Sequence, residues 1–160
     1  MPFSGTGSGR PYDTYRIRSS YAAALNVPYA YSERETFGDD PEKMEWMKKH
    51  LNEYLKVRPY MSEDFYPLTE ISDRRDVWCA AQFDRPEEKD GMLQIFRREK
   101  SPYETASFVL YNIDENSSYV FTDADDGSET VLGGKELAEK GFGIALKEKR
   151  TAKIYFYKKK

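Results

Sequence analysis

Asp123, Asp125, Asp126 and Gly127 stand at the spacing with which a calcium-binding loop begins. Such a loop needs a bidentate acid at its twelfth position, where this chain has Gly134, so the run reads as a hairpin turn whose Asp and Gly tolerate the turn's special backbone angles. His50 is the only histidine, and a Ser-His-Asp or Cys-His nucleophilic system would depend on it alone. Its place beside Leu51 in a helical stretch predicts a partly exposed structural residue. Cys79 is the only cysteine, which excludes an internal disulfide and leaves a thiolate zinc site without partners. It lies in a strand-like run and reads as an inert thiol. Two carboxylates at a fixed spacing across a cleft could cleave a glycosidic bond. Nothing marks Asp64, Asp73, Asp76 or Asp84 as such a pair, and they are expected to solvate turns. The residues by themselves define no catalytic group, no metal set and no cofactor motif. Gly5, Gly7 and Gly9 lack the preceding strand that a phosphate cradle requires.

The aromatic residues say more. There are 13 Tyr, 9 Phe and 2 Trp, 15% of the chain, far more than any charge-based chemistry here needs. Exposed rings can stack on sugar faces, whereas rings at alternating strand positions are usually core. Tyr29, Tyr31, Trp46 and Trp78 are the candidate sugar-binding platforms.

Elements must position these groups. Val77–Phe83, Met92–Arg97 and Thr105–Ile113 read as three successive strands of an antiparallel meander, each bounded by a polar Pro- or Gly-containing segment. In the third, Ala106, Phe108 and Leu110 alternate with Ser107, Val109 and Tyr111, as expected of a strand with one buried face. Upstream, a helix is predicted over Pro11–Asn26 with Arg16 and Arg18 on its solvated side. A short irregular strand follows over Val27–Tyr31, where Pro28 sits. Asp39 or Asp40 then caps a second helix with Pro41 and Glu42 in its first turn. Its expected apolar stripe is Met44, Met47, Leu51, Tyr54 and Leu55, with Glu42, Lys43, Lys48, Lys49 and Glu53 opposite, and Pro59 ends it. FYPLT begins an edge strand. Ser118–Asp123 and Glu129–Leu132 flank the acidic turn, Lys135–Lys140 is a short helix closed by Gly141, and Ile144–Leu146 and Ala152–Tyr157 are the last strands. Strands grouped after helices favour an antiparallel sandwich over a parallel sheet.

Composition bounds the partners. With 25 basic against 28 acidic residues the net charge is −3, which sets up no field for nucleic acid or an anionic membrane. No apolar run approaches the roughly 20 residues that span a bilayer, and no hydrophobic signal core opens the chain. One domain and a cytoplasmic setting are expected.

The succession FYPLTEIS, VWCAAQFDRPEEKDGMLQIFRREKSPYETASFVLYNID and SYVFTDADDGSE resembles the C-terminal region of bacterial α-galactosidases of glycoside hydrolase family 36, the melibiase-like enzymes. In that family similar strings read FYPLT, a tryptophan strand ending QFDRPE, a strand of the GMVQAFRR type, SPYE, and a TDxDxG turn. The similarity runs from about Arg10 to Tyr157, although the chain has VPYAYS where the family tends to a GWD-like segment. The resemblance implies a mainly β chain with two N-terminal helices, an antiparallel β-sandwich preceded by the last helical elements of a (β/α)8 barrel. Residues 1–10 would be a flexible lead, 11–60 the end of the barrel and 61–160 the sandwich. The family's catalytic aspartates would fall before residue 1, so no catalytic residue carries over. The implied role is structural support of a barrel, with an independent carbohydrate-binding module as the alternative. The implied partners are the rest of the parent hydrolase, α-galactosides or a second copy joined through the helical segment.

Overall fold

The computed structural model describes residues 12–23 and 40–160, and the chain divides into two compact units, Met1–Ser62 and Glu63–Lys160.

In the first unit, helix α1 is Thr14–Ser19, capped by the Asp13 carboxylate, which accepts from the Arg16 amide at 2.9 Å. The helix ends well short of the expected Asn26. The Ser19 and Ser20 hydroxyls donate to the carbonyls of Arg16 and Ile17, each at 2.7 Å, a local bonding mode that competes with helix continuation. The expected lead over 1–10 and strand over Val27–Tyr31 lie outside the described residues. Helix α2, Pro41–Val57, begins as its sequence dictates: Asp40 accepts from the Lys43 amide at 3.0 Å, Pro41 needs no donor there, and Glu42 meets the positive end of the dipole. Arg58–Tyr60 continues as a 3₁₀ turn around Pro59.

The predicted apolar stripe of α2 is corrected by the structure. The buried positions are His50, Glu53, Tyr54 and Val57, while Leu51 and Leu55 are 49% and 54% exposed. Glu53 and Arg18, both expected in solvent, are buried together. A hydrophobicity count cannot anticipate this, because an ion pair from another helix makes the polar positions burial-competent.

The second unit is built from β1 (Asp64–Pro67), β2 (Trp78–Arg85), β3 (Asp90–Arg97), β4 (Thr105–Phe108), β5 (Ser118–Asp123), β6 (Glu129–Gly133), α3 (Gly134–Lys140), β7 (Phe142–Ala145) and β8 (Thr151–Lys159). One antiparallel sheet has the order β1-β2-β3-β8-β5-β6, and β4 pairs with β7 in a second sheet. The meander therefore stops after two strands. All eight residues of β3 pair with β8, from Asp90 opposite Lys158 to Arg97 opposite Thr151, which leaves no edge for β4. The segment 98–104 carries the chain to the second sheet instead.

Between the layers lies one core: Trp78, Ala80, Leu93, Ile95, Tyr119, Phe121 and Tyr157 from the large sheet meet Phe108, Leu110, Phe142, Ile144 and Leu146, with Leu137 of α3. The alternation of Phe108 and Leu110 inward against exposed Ser107, Val109 and Tyr111 holds. The large sheet is apolar on its other face too, where Phe83, Met92, Phe96, Ala152 and Ile154 are buried. This is the antiparallel β-sandwich expected from the strand pattern. Gly141 closes α3 at φ +74°, a conformation that favours glycine.

Candidate functional site

At the end of β2 the inward period of two runs Trp78, Ala80, Gln82, Asp84, so two polar side chains follow two apolar ones into the interior. Gln82 and Asp84 are buried, and each is engaged. Gln82 acts like an extra strand partner for Tyr111: its Oε1 accepts the Tyr111 amide at 2.8 Å and its Nε2 donates to the Tyr111 carbonyl at 3.0 Å. The same Nε2 lies 2.7 Å from the Tyr157 hydroxyl, which donates to Asp84 Oδ1 at 2.5 Å. Asn112 Nδ2 reaches Asp84 Oδ2 at 2.9 Å and the Tyr66 hydroxyl at 3.0 Å. Asn112 does so from a left-handed backbone, φ +57°, which Asn tolerates better than most residues. Tyr66 and Tyr111 then stack, centroids 4.7 Å apart and planes 13° from parallel. Burial and the Asp84 carboxylate push the Tyr157 phenol well above its ordinary range, so Tyr157 stays a proton donor to Asp84.

A second polar cluster closes the helical unit on itself. Arg18 grips Glu53 through Nε to Oε1 at 2.9 Å and Nη2 to Oε2 at 2.6 Å, and the Tyr21 hydroxyl donates to Oε1 at 2.9 Å. Burial raises the Glu53 carboxyl, but its bonds to Arg18 and Tyr21, with His50 close by, outweigh that and hold it at about 2. His50 is 2% exposed, not partly exposed as expected; its Nε2 lies 3.2 Å from Thr14 Oγ1 and its Nδ1 3.7 Å from Glu53 Oε1. An anionic Glu53 bound by a fixed guanidinium is neither a general acid nor a free nucleophile, and the cluster reads as a fastener between α1 and α2.

The acidic turn is a hairpin, as its sequence predicts. Gly127 takes φ +74°, and the Asp125 and Ser128 amides bond to Asp123 Oδ1 and Asp126 Oδ1, each at 2.8 Å. The cation facing it belongs to the chain: Lys153 Nζ lies 2.8 Å from Asp123 Oδ2 and 2.6 Å from Asp125 Oδ2. Among the described residues no group of three His, Cys, Asp or Glu is placed to hold a metal ion.

The sequence-derived platforms fare unevenly. Tyr29 and Tyr31 lie outside the described residues. Trp78 is a core residue, 8% exposed, with its indole N–H donating to the Tyr103 carbonyl at 3.2 Å, so no ring face is open. Trp46 is half-buried and packs its ring on His50 and Tyr12, at 4.5 and 5.9 Å. Asp84, expected in a turn, is buried, while Asp64 and Asp73 are exposed and Asp76 pairs with Arg74 at 2.7 Å. Sequence reasoning missed Gln82, Asp84 and Asn112. The available signal was a polar pair continuing an apolar period of two, which predicts buried hydrogen bonding and not a turn.

No family model and no curated protein matches the chain. Solved structures do. GH36 α-galactosidase AgaA from Geobacillus stearothermophilus, as a variant in complex with stachyose, is similar over 100% of this chain and 21% of its own, at TM-score 0.61 and 19% identity. An AgaA variant in complex with raffinose matches over 76% of this chain and 16% of its own, at TM-score 0.56 and 20% identity. The α-galactosidase from Lactobacillus brevis matches over 76% and 17%, at TM-score 0.58 and 16% identity. The chain thus spans about a fifth or less of the enzymes whose fold it shares, and at this identity the likeness is one of fold.

Proposed function

We propose that this chain is the C-terminal region of an α-galactosidase-like glycoside hydrolase. In this reading the sandwich from Glu63 onward is an accessory domain, and the helical unit contributes the last elements of a (β/α)8 barrel that holds the catalytic aspartates upstream. The observation that carries the reading is the likeness to AgaA over the full length of this chain, helical unit included, while only 21% of AgaA is used. The fate of the described buried carboxylates agrees with it. Glu53 is committed to Arg18, Asp84 to Tyr157 and Asn112, and Asp123 to Lys153, so none is poised as acid or nucleophile. The partner is the remainder of the parent hydrolase, and Leu51 and Leu55 on the open side of α2 offer it apolar contact. A bacterial, cytoplasmic origin belongs to the same proposal; no helix among the described residues is long and apolar enough to cross a membrane. The test is galactose release from raffinose by the purified chain. None is expected, and sustained release would put a working carboxylate pair inside these residues and overturn the reading.

A further inference from the structure

We propose that Tyr66 and Tyr111 form a binding ledge for one neutral pyranose ring, the galactosyl end of an α-galactoside. The choice of sugar rests on the hydrolase reading above; the ledge itself rests on geometry.

Tyr111 is 50% exposed although its backbone is held on both sides by a fully buried glutamine. The Gln82 clamp bonds only the amide and carbonyl of residue 111, so any amino acid but proline would satisfy it. The fold therefore does not need an aromatic ring there, yet a ring stands in water, stacked nearly parallel on Tyr66. The stack is fixed at both members: Tyr111 through its backbone, and Tyr66 through its hydroxyl, which accepts from Asn112 Nδ2 at 3.0 Å. The face of the Tyr111 ring turned away from Tyr66 is a flat apolar surface held in place before binding, on which a sugar can lay its C–H face at little ordering cost. The Tyr66 hydroxyl and the Asn112 amide border the ring stack and can meet sugar hydroxyls, since the network engages only Nδ2 of that amide. The chemistry also sets the ligand's charge. The buried Asp84 carboxylate, bound by the neutral Tyr157 and Asn112, disfavours an anionic ligand beside it.

The experiment is an amide-resolved NMR titration of the whole chain with methyl α-galactoside, and with methyl α-glucoside beside it. Saturable shifts are expected at Tyr66, Tyr111 and Asn112. Tyr111→Ala should weaken binding by about tenfold or more, with only the small fall in unfolding midpoint that loss of the Tyr66 stack brings, because the Gln82 clamp survives. Tyr111→Trp should keep binding. Absence of ledge shifts with galactoside at tens of millimolar would overturn the proposal, as would an alanine variant that binds like the parent. Catalysis by the chain alone would sink the accessory reading without moving these shifts, so the two fail separately.

Discussion

Gly91 sits directly opposite Tyr157 in the β3–β8 pairing, and its missing side chain is what lets the Tyr157 ring lie across the strand. An alanine Cβ there would overlap Tyr157 Cζ and Oη and come within 2.6 Å of the Phe83 carbonyl oxygen. The backbone cannot yield easily, and neither can the ring. Swinging Tyr157 aside would strip Asp84 of a donor and Gln82 of an acceptor in the interior. Overpacking of this kind costs about 1–3 kcal/mol, and leaving buried polar groups unpaired costs about 1–3 kcal/mol more. Relief of glycine's entropy loss returns about 0.5–1 kcal/mol. Gly91→Ala should therefore destabilise the sandwich by roughly 1–5 kcal/mol, a fall of at least about 4 °C in Tm for a unit near 100 residues. Urea unfolding followed by near-ultraviolet circular dichroism reads the change. In a Tyr157→Leu background the same alanine should cost less, since only the contact with the Phe83 carbonyl oxygen remains, and the difference is the coupling between the two positions. An equal cost in both backgrounds would refute the argument, as would a single variant within about 0.5 kcal/mol of the parent.

Three further outcomes follow from the helical unit. Glu53 is held at about 2, below its unfolded value near 4.5, so its contribution is fully present above about pH 4.5 and is lost as pH falls toward 2. Far-ultraviolet dichroism between pH 7 and 2 should show that loss in the parent and not in Glu53→Gln, whose stability is already reduced at neutral pH; an identical acid profile would contradict the assignment. Leu51→Ser with Leu55→Ser should change stability by under about 0.5 kcal/mol per site while Val57→Ala, at a fully buried position, costs about 1–3 kcal/mol. The same leucine pair should reduce any self-association of the chain in sedimentation velocity, and a strictly monomeric parent at high concentration would remove that role from α2.

The strands were legible because their signal is local. Ser118–Asp123 matches β5 as read, Gly141 ends α3, and the alternation through Phe108 and Leu110 faces the core. Partner choice was not legible: β4 follows β3 in sequence, but the longer β8 takes the edge of β3, a pairing between segments over 50 positions apart. The α2 face failed for a related reason. Leu51 and Leu55 outscore His50 and Glu53 on hydrophobicity, and only the arrival of Arg18 and Tyr21 makes the polar face the inner one. The ledge was hidden because Tyr66 and Tyr111, 45 positions apart, look like ordinary strand aromatics until Gln82 and Asn112 bring them together.

The most direct measurement of the central claim uses AgaA truncated where its likeness to this chain begins, and this chain beside it, each with raffinose as substrate. The account predicts that the truncated enzyme and this chain each release no galactose when assayed alone. Galactose release by this chain alone would contradict it.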